Sequence, residues 1–195
     1  MLPEPYNFDA QKTYRVPVVL FSFSDLDFSM ENPAAYYDRL FNEKGFNEGM
    51  GPGCVADYFR DQSAGRLNLA FDIYGPVKID NGAHHRAYYN DGWEDMKKVL
   101  KLLPETTDAD FSVYDWNGDG QANEVVFVAA GLIGNTMNGT YYLEPGSYFQ
   151  IPSTKLPGGV DYYYYSLVCE RMHGAWASPS PPSSWQPTAP SPSTS

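Results

Sequence analysis

Cysteine is scarce, at two residues, Cys54 and Cys169. They allow one disulfide or two buried thiols, and spacing does not choose between these. There is no C-x-x-C, no phosphate-cradling P-loop and no G-x-S-x-G, so those catalytic routes are closed. Basic residues are also few: 13 Lys and Arg against 24 Asp and Glu, a formal net charge of −11. A nucleic-acid surface needs a basic stripe to neutralise phosphates, and this balance excludes nucleic acid as the main partner. The same charge opposes an anionic membrane surface. No apolar run approaches the roughly 18 residues of a spanning helix. Met1 to Thr13 lacks a basic segment followed by an apolar stretch, so no secretory signal is visible; either there is none or the chain begins after it.

What is present suits one core. The chain has 195 residues and 43% hydrophobic content, and its 16% aromatic content fits a secreted protein better than a cytosolic one. Arg15 to Phe23 is a near-continuous apolar run, the pattern of a strand buried on both faces. Asn32-Pro33 reads as an N-cap and first-turn proline opening a helix through Phe41. A second helix is predicted from Cys54 to Ala64, with Val55, Tyr58 and Phe59 on one side and Gly65 as its stop. Leu67, Leu69, Phe71 and Ile73 alternate with polar or small residues and predict a strand. Met96, Val99, Leu100 and Leu103 are helically spaced within Trp93 to Leu103, and Pro104 closes that segment. Glu124 to Ala130 predicts another buried strand, ending at Gly131. Alternating strands and helices give an α/β fold with a mixed sheet and flanking helices.

Composition changes near the C-terminus. Ala177 to Ser195 holds six of the 16 prolines and seven serines, and no Asp, Glu, Lys or Arg follows Arg171. Such a segment buries too little apolar surface to offset its ordering entropy, so residues 175–195 are expected to be a disordered tail. Residues 1–13 form an N-terminal extension and 14–174 the domain.

The sharpest chemical signal is Asp115-Trp-Asn-Gly-Asp-Gly-Gln-Ala-Asn-Glu124. Calcium takes six to eight oxygen ligands in a flexible cage. Asp115, Asn117 and Asp119 occupy loop positions 1, 3 and 5, Gly120 permits the sharp turn, and Gln121 offers a backbone carbonyl. Val126 stands where a helix–loop–helix calcium loop carries its last acid, leaving Glu124, Asp108 or Asp110 to substitute. The expected ligands are therefore Asp115, Asn117, Asp119, Gln121 and Glu124. An ion-free Asx-rich turn is the competing reading.

Taken in order, Val16 to Asp25, Asn32 to Phe41, Val55 to Leu67, Phe71 to Val77 and Asp110 to Gly131 resemble the front half of the immune-inhibitor-A-like metallopeptidases, peptidase family M-six. The likeness covers roughly Tyr14 to Glu170. It implies a zincin-like fold, secretion, a protein or peptide substrate and a zinc cofactor. In that family an H-E-x-x-H helix holds zinc and activates its water. It follows a segment similar to Val160–Glu170, where this sequence turns into its Pro/Ser tail.

The catalytic helix is thus expected to be missing, and no zinc site is assigned. His84 and His85 are adjacent in a polar stretch. Cys169-Glu170-Arg-Met-His173 only echoes E-x-x-H. Asp57 with Asp61 and Asp25 with Asp27 read as solvated faces or caps. Half of the Tyr162–Tyr165 run is expected to face a core. The first functional reading is a truncated, inactive metalloendopeptidase domain; the alternative is a calcium-stabilised, non-catalytic binding module. Truncation predicts an open apolar patch over Val126, Val128, Tyr163, Tyr165 and Leu167.

Overall fold

The computed structural model describes residues 8–48, 52–80, 92–133 and 146–172. Their core is a five-stranded mixed sheet with helices on both faces. The strands are β1 (Thr13–Phe23), β2 (Asn68–Ile79), β3 (Gln121–Ile133), β4 (Gly146–Phe149) and β5 (Asp161–Met172), in spatial order β2-β1-β3-β5-β4. The pairs β1–β2, β1–β3 and β3–β5 are parallel; β4 runs antiparallel to β5. The helices are α1 (Pro33–Asn42), α2 (Val55–Gln62) and α3 (Gly92–Leu102).

The alternation of chain segments explains the layers. Parallel neighbours need crossovers, and helices lie in those from β1 to β2 and from β2 to β3. Helices α1 and α2 lie between β1 and β2 in sequence and cover one face, where Tyr37, Phe41 and Ala56 pack on Val16, Val18, Leu20 and Val128. Helix α3 lies between β2 and β3 and covers the other, with Met96, Val99 and Leu100 against Val19, Phe21, Phe127 and Leu167. Strand β1, flanked by β2 and β3, is buried on both sides from Val16 to Phe23, as its unbroken apolar run requires.

Local signals account for the boundaries. Asn32 caps α1 by accepting from the Ala35 N–H at 3.1 Å. Cys54 and Asp57 form a reciprocal capping box on α2. The predicted apolar side of α2 is corrected: Tyr58 and Phe59 are exposed and Ala56 is its buried residue. A small side chain there lets the short helix approach the sheet. Strand β2 outruns the predicted segment and continues to Ile79. Strand β3 likewise continues past Gly131, where φ is +86° and the register against β5 shifts.

The two cysteines are free. Cys54 packs into the α1–α2 face and Cys169 against the α3 face, so the sheet separates them. Burial pushes the Cys169 thiol up to about 12. The open-patch expectation is corrected too. Val128 is buried under α1 and α2, and Tyr165 and Leu167 are buried on the other face, where Tyr148 of β4 stacks on Tyr165 and Ile151 and Leu156 pack beside them. Tyr162 is buried with Tyr165, whereas Tyr163 and Tyr164 are exposed. The tail at 175–195, the extension as far as residue 7, and His84, His85 and His173 lie outside the described residues.

Candidate functional site

The Asp115 loop enters β3 from a 3-10 turn, Phe111–Tyr114, that is pinned on both sides. Phe111 and Tyr114 are buried in the α3-side core. The Tyr114 hydroxyl donates to Asp72 at 3.0 Å and lies 2.6 Å from the Tyr74 hydroxyl. Asp72 also accepts from Arg15 in a two-pronged pair, Nε at 2.8 Å being one prong. On the other side, Trp116 donates its indole N–H to the Arg15 carbonyl at 2.7 Å and packs edge-on to Tyr14. The loop is therefore anchored to β1 and β2 on both sides of Asp115.

Within the loop, Asp115 organises the backbone. Its Oδ1 accepts from the N–H groups of Gly118 (2.7 Å) and Asp119 (3.2 Å), and its Oδ2 from Gly120 (2.7 Å). Gly118 and Gly120 have φ of +77° and +87°, the left-handed region that glycine occupies without steric cost. Burial works upward on the Asp115 carboxyl, but the N–H donors, Gly120 foremost, outweigh it and hold the group below the usual carboxylate range. The side chains of Asn117 and Asp119 meet, with 2.9 Å between Nδ2 and Oδ2. Asp119 Oδ1 accepts from the Gln121 N–H at 2.9 Å. The Asn123 side chain closes the loop by accepting from the Trp116 N–H at 2.7 Å.

Of the five sequence-predicted ligands, Asp115 holds the loop backbone, and Asn117 and Asp119 meet side chain to side chain. Gln121 follows them as the first residue of β3. Glu124 sits further along the strand, and its Oε1 accepts from Ser166 Oγ at 2.8 Å across the β3–β5 ladder. Burial pushes its carboxyl up, and the Ser166 bond offsets part of that rise. Asp110 caps the preceding turn by accepting from the Ser112 N–H at 2.9 Å. The donor set at the loop is two carboxylates, one amide and one backbone carbonyl. Oxygen donors of this kind are the ones a hard cation takes.

Neither protein-family models nor curated proteins match this chain.

A second carboxylate works at the far end of the sheet. In open α/β sheets the crevice beyond the strand C-termini, where strand order reverses, is the usual ligand position. Here that point lies between β1 and β3, and the chain after β1 folds across it. Glu170 of β5 accepts from the Gly131 N–H at 3.0 Å, from the Ser29 N–H at 2.7 Å and from the Ser29 hydroxyl. A Cβ on Gly131 would collide with Leu26. Sequence reading missed this staple, since its partners are 39 and 141 residues from Glu170. Among the described residues no group of three His, Cys, Asp or Glu side chains could hold a metal ion, and no helix is long and apolar enough to cross a membrane. The other acidic pairs are engaged as caps or surface pairs: Asp57 accepts from the Gly45 N–H, and Asp27 pairs with Lys78.

Proposed function

We propose that this chain is a calcium-stabilised α/β scaffold of the immune-inhibitor-A-like metallopeptidase type, working outside the cell. Calcium at Asp115, Asn117 and Asp119 fixes the entry to β3, the strand through the middle of the sheet. The carrying observation is the loop itself: one aspartate holding three backbone N–H groups, two left-handed glycines, and the next two oxygen-bearing side chains meeting beside it. The zincin-like relationship rests on the ordered set of segments that resembles that family. Proteolysis there uses an H-E-x-x-H helix, a motif that does not occur in these 195 residues, so no hydrolytic step is assigned to this chain.

The experiment is a pair of melting curves in chelator and in millimolar calcium. Calcium should raise the transition, and Asp119→Ala should abolish the rise. Identical transitions in both buffers overturn the calcium reading. Casein hydrolysis by the purified chain, lost with a zinc chelator and restored by zinc, overturns the assignment of no hydrolytic role.

A binding-module reading is favoured by one feature, the exposed aromatic group Phe149, Tyr163 and Tyr164, with ring centroids 4.5–6.2 Å apart. Loss of ligand capture on Tyr164→Ser, with the melting curve unchanged, would support it.

A further inference from the structure

On the α3 side of the sheet, α3 and the loop after β4 enclose an open cavity of about 470 Å³. Three ammonium groups, Lys97, Lys101 and Lys155, line it together with Leu100, Ser153 and Thr154. Among the described residues no carboxylate lines it, in a chain where acids outnumber bases by 24 to 13. Lys97 pairs with Glu94 at 2.6 Å and Lys155 with Asp161 at 2.7 Å. Lys101 has no ion pair among the described residues. It stands one helical turn from Lys97, a like-charge spacing that is unfavourable unless an anion lies between them.

The opposing wall is rigid. Thr154 Oγ1 bonds the Ile151 carbonyl at 2.5 Å and the Tyr162 hydroxyl at 2.7 Å. Gln150 donates to the Thr154 carbonyl at 2.8 Å and to Asp161 at 3.0 Å. The turn from Ile151 to Thr154 has Pro152 at its second position and Ser153 at its third, with φ of +64°. That third position favours glycine. Serine there accepts backbone strain and sets a hydroxyl at the rim, with no hydrogen bond among the described residues.

We propose that this cavity binds a small multivalent oxyanion, with Lys101 and Lys155 as its main cationic contacts and Ser153 as a hydroxyl donor. Phosphate esters and polycarboxylates share that chemistry. Long polyanions are disfavoured by the net charge of −11. This inference is independent of the calcium loop.

The test is an amide-resolved NMR titration of the whole chain in calcium-free buffer, with inorganic phosphate in one arm and citrate in the other, at constant ionic strength. Saturating shifts are expected at residues 97–101 and 152–155. The dissociation constant should rise at least about fivefold in Lys101→Gln and in Lys155→Gln, and stay unchanged in Lys44→Gln, on the far face. The arm with the tighter constant identifies the source. Ser153→Gly separates binding from folding: relief of the left-handed strain should raise the melting temperature while affinity falls. Non-saturating shifts spread over all lysines overturn the proposal. So does a Lys101→Gln variant that melts lower yet binds both anions as before, since that lysine would then only offset the negative end of α3.

Discussion

The two ends of β3 are held by the same device, a carboxylate accepting backbone N–H groups, yet the two are built differently. At the entry, Asp115 takes all three of its donors from the next five residues. At the exit, Glu170 reaches across the sheet to Gly131 and Ser29. Each carboxylate accepts three donors, two on one oxygen and one on the other; the local arrangement shapes a single loop that also carries the side chains of Asn117 and Asp119. The long-range one ties three chain segments together. A carboxylate surrounded by N–H groups thus shapes a loop in one setting and staples distant segments in the other, and what decides is where its donors come from.

The comparison breaks most visibly at Asp115. Asp115→Ala should erase the calcium response and lower stability even in chelator. Ligand binding to the native state alone contributes about 2.7 kcal/mol at a hundredfold excess over the dissociation constant. Losing it lowers the melting temperature by about 5–10 °C for a domain of this size. In chelator the wild type carries a pH signature: since folding lowers this carboxyl below its usual 3.8, the stability it contributes is present above that value and fades as pH falls through the folded one. Melting curves between pH 2.5 and 7 check both statements.

Glu170→Ala comes next, and its effect should not depend on calcium. Leaving the Ser29 and Gly131 donors without their charged acceptor costs about 2 kcal/mol. Urea denaturation should show the same loss in chelator and in calcium. A calcium-dependent loss would mean that the two ends are coupled through β3 and that the contrast drawn between them is wrong.

Tyr114→Phe tests the anchor that joins the loop to β1 and β2. Its hydroxyl serves both Asp72 and Tyr74, so the variant should lose about 1 kcal/mol. Calcium affinity should fall only slightly, because the ring still fills the core. A large fall in affinity, with stability barely changed, would make the Tyr114–Asp72–Arg15 network part of the site.

The same contrast explains what the sequence could reveal. The loop was legible because its partners are consecutive: oxygens at every second position and a glycine at the sixth say what the backbone does. Strands β1 and β3 were legible because burial on both faces leaves no polar interruption. Glu170 was not, since nothing near it in sequence names Ser29 or Gly131. The buried face of α2 was misread because Ala56 carries little hydrophobic weight, although it is the residue against the sheet. The truncation reading leaves Tyr165 and Leu167 open for want of a covering helix; the short β4 and the loop after it, which cover them, give almost no periodic signal in the sequence.

The smallest expected effect is the most diagnostic, because Glu124 stands between the two cases. Its carboxylate accepts from Ser166, as a staple does, while its position in sequence suits a calcium ligand. Burial raises its folded value above the usual 4.5. A raised carboxyl contributes stability that is full below the unfolded value and lost as pH rises through the folded one, so at neutral pH the ionised group is a net cost. Glutamine is neutral throughout and keeps an oxygen for Ser166. Glu124→Gln should therefore melt slightly higher than wild type at pH 7 in chelator, the gain vanishing below about pH 4.5. Its calcium-induced rise should equal that of wild type if the carboxylate serves only Ser166. If the rise disappears while the chelator curve behaves as stated, Glu124 belongs to the ion, and the loop carries a third acid drawn from the strand it introduces.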